Sequence, residues 1–314
     1  MIKSRLSLWF GVFAGLLVVT GIIGWLRGID WDKLNGVPIT MHIDTAYSSD
    51  MANNVSTLTF DGYNVKISGP DASVIIKDSS DEIIKGYTKH ANVLYSPMVL
   101  FVRNDVTDES GGFVKIDTKN YYAYQIDLRK ILDGMMAGKE WSEIGVNNKV
   151  TKKEIALTIP NERSPYWDYI VELFYITMND GKALTPEIRE ELKPTIDAIL
   201  EKCEKVYDIR EAIETEQKHP SSNRRVFIAP EFLYTTMNSE IMSYSNSNAY
   251  MPAYFHKTTS MYMDMYEKID AENQINFLDA IRPYNAWFEH SGFRVKDTGA
   301  HYSNAKSGAI DFIP

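Results

Sequence analysis

The chain has 314 residues, 44% of them hydrophobic and 24% charged, with a net charge of −9 and one cysteine. That length gives room for two α/β lobes with real cores, and an acidic balance without basic runs beyond pairs argues against nucleic acid as a partner. The lone Cys203 excludes an intrachain disulfide and a cysteine-built metal site.

Residues 8–26 form an apolar, uncharged run of 19 residues, preceded by Lys3 and Arg5 and followed by Arg27. As a helix it spans roughly 28 Å, close to the hydrocarbon thickness of a bilayer. Trp9 and Trp25 sit near its ends, where interfacial aromatics are favoured. A cleaved signal peptide is the competing reading, but the run is longer than a typical h-region and no A-x-A-like site follows. The expectation is an N-terminal transmembrane signal anchor over residues 1–28. The basic flank before the run places the amino terminus inside and the body outside the cytoplasm, so the protein is expected at the cell membrane as a single-pass protein.

After a short linker, residues 39–45 alternate apolar and polar as a strand with one buried face, and end in Ala46-Tyr47-Ser48-Ser49-Asp50, rich in helix N-cap types. Strands are expected at 64–67 and 73–76, and a helix at 81–87. Tyr95-Ser96-Pro97 then opens an apolar run to Val102, read as a strand buried on both faces and as the crossing between two lobes. Pro97, lacking an N–H, is expected among that strand's first residues.

A helical period covers residues 124–136, with Gly138 as its stop, and Trp141 and Ile144 pack the turn beyond. A strand at 154–159 closes at Pro160. Ser164 is placed as N-cap and Pro165 at the first position of a helix running to about residue 179 and ended by Gly181. Thr185-Pro186 repeats that start, and Ile188, Leu192, Ile196, Ile199, Leu200 and Cys203 line one face of the helix that follows. Residues 210–225 are charged, 226–229 form a buried strand, 234–250 are polar, 252–255 form another strand, and 273–287 are amphipathic.

The six histidines have no ligand spacing, and no nucleotide-binding glycine motif or nucleophile elbow is present, so no metal and no cofactor is expected. An enzyme is the weakest of the readings, since nothing local marks a Ser-His-Asp triad, which geometry rather than spacing defines. His42 reads as a structural histidine on the first strand.

Four segments together resemble an extracellular solute-binding protein of the type II periplasmic-binding-protein fold. They are the strand and Ser turn at 39–49, and Tyr95-Ser96-Pro97 with its apolar strand. The third runs from Ile126-Asp127-Leu128 through Gly138-Lys139-Glu140-Trp141 to the Ser164-Pro165 helix start, and the fourth is Ser291-Gly292-Phe293-Arg294-Val295. The resemblance implies an α/β, two-lobed fold with lobe 1 at residues 29–98 and 228–314 and lobe 2 at residues 99–227. It implies a small-molecule solute between the lobes, contacted by Thr45, Ser48, Ser49, Ser96, Ser164, Tyr166, Trp167 and Glu231. Hydroxyls and helix N-termini suit an oxyanion or carboxylate, whereas Glu231 and Asp168 beside Tyr and Trp suit an amine or sugar.

The chain departs from that family in its transmembrane anchor, in having only a turn between Ile67 and Val74, and in its long polar segment at 234–250. The function implied is a membrane-tethered receptor handing a solute to a transporter or sensor membrane protein. The alternative is a scaffold of the same fold without ligand, acting as an extracytoplasmic protein-interaction subunit.

Overall fold

The computed structural model describes residues 37–45, 59–60, 63–103, 114–116, 124–145, 154–219, 226–236, 250–255, 257–269, 294–295 and 311–312. The apolar run at 8–26, Ser48, Ser49, and the stretches 237–249 and 273–287 lie outside them. Among the described residues no helix is long and apolar enough to cross a membrane.

Strand β1 (Val37–Asp44) buries Ile39, Met41 and Ile43 while Thr40 and His42 stay half-exposed, the period of two that its sequence carries. The short β2 (Thr59–Phe60) leads into β3 (Tyr63–Ile67) and then β4 (Val74–Asp78). Both β3 and β4 run parallel to β1, one on each side. Parallel neighbours ordinarily need a long crossover. Here β3 ends opposite Met41 and β4 starts opposite the same residue, so a turn suffices to step across. Ser68 N–H donates to the Met41 carbonyl at 2.8 Å, Ser73 N–H to Thr40 Oγ1 at 2.8 Å, and His42 Nδ1 lies 3.2 Å from the Ser68 carbonyl.

Residues 81–86 are turn and coil, not the expected helix, because Lys85-Gly86 turns the chain straight into β5 (Tyr87–Arg103). This strand is 17 residues long and buried from Val93 to Val102. Pro97 lies well inside it rather than at its start. The proline is tolerated because ladder partners change there: residues up to Pro97 pair with one set of strands, and residues from Met98 on pair with another.

The next elements are β6 (Val114–Ile116), β7 (Tyr124–Ile126) and helix α1 (Leu128–Met136). Residues 124–126 are thus strand and not the helix's first turn, because the Asp127 side chain caps Lys130 N–H and starts the helix after it. Gly138, at φ +66°, ends that region, and a 3₁₀ turn at Trp141–Ile144 buries Trp141 and Ile144.

After β8 (Leu157–Pro160), helix α2 (Trp167–Met178) has Tyr166, not Ser164, at its N-cap. Ser164 Oγ instead accepts from Tyr166 N–H at 3.2 Å, forming a turn of its own before the helix. The helix closes as a Schellman motif: Gly181 N–H reaches the Ile176 carbonyl at 2.8 Å and Asp180 N–H the Thr177 carbonyl at 3.2 Å. Gly181 also admits the Lys257 side chain, which a Cβ would strike at 2.1 Å, and Lys257 Nζ donates to its carbonyl at 2.8 Å.

Helix α3 (Pro186–Lys202) starts at Thr185, whose side chain accepts from Ile188 N–H. Its Lys202 Nζ donates to the carbonyls of Met135 and Met136, capping α1. Cys203 continues the buried stripe, and burial pushes its thiol up to about 12. Then come β9 (Glu204–Val206), helix α4 (Ile209–Lys218) and β10 (Val226–Pro230). Much of the charged stretch read from the sequence is therefore helix, capped by Asp208 and burying Ile209 and Ile213. The last elements are α5 (Phe232–Thr236), β11 (Tyr250–Phe255), β12 (Lys257–Thr258), β13 (Ser260–Lys268), β14 (Arg294–Val295) and β15 (Asp311–Phe312).

The strands make two groups that share β5. The first runs β2-β3-β1-β4-β13-β5, and the second β9-β8-β10-β5-β11-β7-β6. Each holds a parallel trio, β3-β1-β4 or β9-β8-β10, then an antiparallel strand, then another antiparallel to that one. This repeated order, with a strand passing from one group to the other, is a two-lobed α/β fold of the type II periplasmic-binding-protein kind. β10 and β11 both pair with the Met98–Arg103 part of β5, so the chain returns to the first group only at Ser260.

Candidate functional site

In open α/β sheets ligands gather where the carboxyl ends of strands meet the chain's change of direction. In the first group that end carries Thr45, after β1, and Asp78, the last residue of β4. Ser79 N–H donates to the Tyr262 carbonyl at 3.0 Å, tying it to β13. Tyr262 pairs with Tyr95, their rings 6.2 Å apart, and Ser260 pairs with Pro97 where β5 changes partners.

The second group reaches this place through α2. Thr259 Oγ1 donates to the Tyr169 carbonyl at 2.7 Å, and Met98 N–H donates to the Thr259 carbonyl at 2.9 Å. Burial first, then the charges of Asp78 and Asp168, push the Tyr169 phenol above its ordinary range. Asp78 belongs to the first group's sheet and Tyr169 to the second group's helix, so a charge of one group reaches a phenol of the other. Burial likewise raises Tyr262, while the Ser260 hydroxyl beside it pulls the other way. Ser260 Oγ and Thr45 Oγ1 are buried and have no well-formed hydrogen bond among the described residues. A buried hydroxyl left so costs about 1–3 kcal/mol, which a bound polar group recovers. Hydroxyls and phenols with carboxylates at the edge can exchange hydrogen bonds with a small polar solute.

The residues singled out from the sequence fall into three sets. Ser96, Glu231, Tyr166 and Ser164 come together. Ser96 Oγ, fully buried, accepts from Phe232 N–H at 3.0 Å, and Glu231 N–H donates to the Pro97 carbonyl at 2.8 Å. The Glu231 carboxylate accepts from the Tyr254 hydroxyl, and Tyr166 meets the Phe232 ring edge-on at 6.0 Å. Ser164 sits one turn earlier with its hydroxyl on Tyr166 N–H. Trp167 faces Lys205, whose ammonium lies 5.3 Å from the ring centroid. Thr45 stands apart from these, at the carboxyl end of β1. Ser96 and Ser164 therefore have lone pairs committed to backbone N–H groups of their own chain.

Thr259, Ser260, Tyr262, Tyr169 and Asp78 escaped the sequence reading. The available signal was the alternation Met261, Met263, Met265, all buried and one residue apart. Asp264 in the middle hides it. That carboxylate is fully buried and accepts from Asn92 N–H at 2.8 Å, Ser79 Oγ at 2.9 Å and Ser80 N–H at 3.1 Å, with Lys89 Nζ at 2.9 Å. Burial works to raise its pKa, but these four partners outweigh it and hold the carboxyl below the usual range. The ladder slips between Met263 and Met265, where Asn92 takes φ +54°, so Asp264 replaces strand partners that the irregularity removes. It is a structural group. Among the described residues no cluster of His, Cys, Asp and Glu is placed to hold a metal ion.

No family model matches the sequence, and no curated protein matches it. Among solved structures, a eukaryotic thiaminase-I bound to the thiamin analogue 3-deazathiamin overlaps with a TM-score of 0.43 at 10% identity, covering 83% of this chain and 85% of that one. A hydrogen-peroxide-bound OxyR variant from Corynebacterium glutamicum gives 0.39 at 8% identity, covering 89% and 73%. CbnR, a LysR family transcriptional regulator, gives 0.33 at 10% identity, covering 88% and 76%. The fold described above is read from the strand pairing, not from these overlaps.

Proposed function

We propose that the protein binds a small polar solute between its two strand groups, as the extracytoplasmic body of a membrane-tethered receptor serving a transporter or sensor. The observation that supports this best is the approach of α2 to the strand ends of the first group: Thr259 holds the Tyr169 carbonyl while Asp78 and Asp168 act on its phenol. Thr45 just after β1 and Ser260 at the start of β13 add two buried hydroxyls to the strand ends. The carboxylates of Asp78 and Asp168 at the edge favour an amine or a polyhydroxylated solute over an oxyanion, which they repel. Two groups joined by two passages of chain can close on a solute if it binds the closed arrangement better.

The test is calorimetry and thermal shift on the full chain in detergent against amines, sugars and oxyanions. A ligand at 100 times its Kd raises stability by about 2.7 kcal/mol. The expected result is a shift with an amine or sugar that disappears in Tyr169→Ala. No shift with any class, together with no small molecule retained in native mass spectrometry, rejects the reading. The internal engagement of Ser96 and Ser164 supports the second reading, a scaffold of the same fold that binds a protein instead.

A further inference from the structure

The first strand group has a second end, opposite the site. There β1 begins at Val37, and β5 begins at Tyr87 opposite Lys268, the last residue of β13. Lys268 N–H donates to the Ser73 carbonyl at 2.9 Å and Ile269 N–H to the Gly86 carbonyl at 2.9 Å. Tyr87 N–H reaches the Ile84 carbonyl at 3.2 Å. These bonds fold the tip Ile83-Ile84-Lys85-Gly86 against Lys268-Ile269. At this tip Ile83 is 84% exposed and Ile269 60% exposed. The segment leading to the tip is pinned, since the Tyr266 hydroxyl donates to the Glu82 carbonyl at 2.9 Å and Lys77 pairs with Glu82 at 2.7 Å. Two isoleucines are thus held out into solvent at adjoining turns.

Charged groups of both signs surround them. Lys85 and Lys268 are exposed and form no ion pair among the described residues. Exposed acids stand close by as well, Asp81 in the same turn and Asp71 beside Ser73, and Asp270 and Glu272 follow Ile269 in the sequence. Paired exposed isoleucines with lysines free to reach phosphates fit the boundary between acyl chains and headgroups. The position within the sheet selects that occupant over others. The chain enters β1 at Val37 from this same end, and only residues 27–36 separate Val37 from the apolar run at 8–26. Ten extended residues reach at most about 36 Å. If the run sits in a bilayer, this end of the sheet is kept beside it.

We infer that the Ile83 and Ile269 tip, with Lys85 and Lys268, rests on the surface of the membrane that holds the N-terminal run, seating the first strand group with its site end directed away. This goes beyond solute capture and does not depend on it. The lone native Cys203 is buried with its thiol pushed up to about 12, so introduced cysteines can be labelled selectively.

The experiment places an environment-sensitive fluorophore on Ile83→Cys, Ile269→Cys and Tyr207→Cys in the full chain, reconstituted in phosphatidylcholine–phosphatidylglycerol vesicles. Tyr207, 77% exposed just after β9 in the second group, is the control. The expected result is a blue shift and quenching by brominated lipid at 83 and 269 but not at 207. Combining Lys85→Glu with Lys268→Glu should weaken that quenching several-fold, with less change in pure phosphatidylcholine. Three identical, water-like spectra on vesicles that retain the chain overturn the inference while leaving the anchor standing. Failure to float with the vesicles overturns anchor and tip together. A shift that follows protein concentration rather than lipid assigns the tip to a second copy, and also overturns it. Solute binding, read separately by calorimetry, is indifferent to all of these outcomes.

Discussion

The two strand groups repeat one order of strands and are held by different chemistry. The second is an apolar sandwich: β8 and β10 are buried along their whole length, and α2 and α3 pack Ile170, Leu173, Phe174, Ile196 and Ile199 toward them. The first keeps an apolar face on β1 and β4 but binds its antiparallel strands with buried or half-buried polar groups. Across β5 and β13, Lys89 pairs with Asp264 and His90 with Glu267 at 2.9 Å. Topology is thus compatible with two kinds of support. A hydrophobic core is indifferent to pH, whereas a buried carboxylate makes its group conditional on ionisation.

The sharpest challenge to this contrast is a cavity in the second group. Phe227→Ala removes a fully buried ring from β10 and should cost about 4 kcal/mol, measured by urea unfolding of the full chain. A cost below half of that means the core relaxes more than its packing suggests.

In the first group Asp264→Asn leaves Lys89 beside a neutral amide and should cost about 3 kcal/mol at neutral pH. The same carboxyl sets an acid limb. Its folded pKa lies below the unfolded value, so its contribution is complete above the unfolded pKa and fades as pH falls toward the folded one. Hydrogen exchange should therefore show β5 and β13 loosening in acid before β8 and β10, and the asparagine variant should lose that difference. Simultaneous loosening in the wild type would erase the distinction between the groups.

A smaller effect tests the junction between them. Ser96→Ala strips the acceptor from the buried Phe232 N–H and should cost about 2 kcal/mol without weakening solute binding. A variant of unchanged stability but lost binding would return Ser96 to the ligand. Smallest is the cap of α4: Asp208→Ala removes the acceptor for Glu211 N–H and should cost about 1 kcal/mol, confined to the second group.

Local patterns were legible where one physical rule dominated. The stripe from Ile196 to Cys203 shows the helical period, Thr185-Pro186 marks its start, and the unbroken apolar runs of β10 and of Met98–Val102 in β5 announce buried strands. Elements escaped where polar residues were buried for tertiary reasons. β13 carries Asp264 and Glu267 inside, and α4 shows only Ile209 and Ile213 against a charged background although Glu216 and Gln217 are also buried. The candidate site was half legible. Ser96, Ser164, Tyr166 and Glu231 do meet, but the two serine oxygens accept from backbone N–H groups, and Tyr169, Ser260 and Asp78 carry no local mark of their role.

By itself the amino-acid order determined an α/β chain, its main buried strands and helix starts, and a long apolar run ahead of the body, because periodicity, capping and hydropathy act over a few residues at a time. Only the folded arrangement decided that β5 serves two groups, that β13 completes the first, and that Thr259 and Tyr169 become neighbours. Those outcomes depend on hydrogen bonds and charges between positions far apart in the chain, and their strength exists only once water has been excluded from between them.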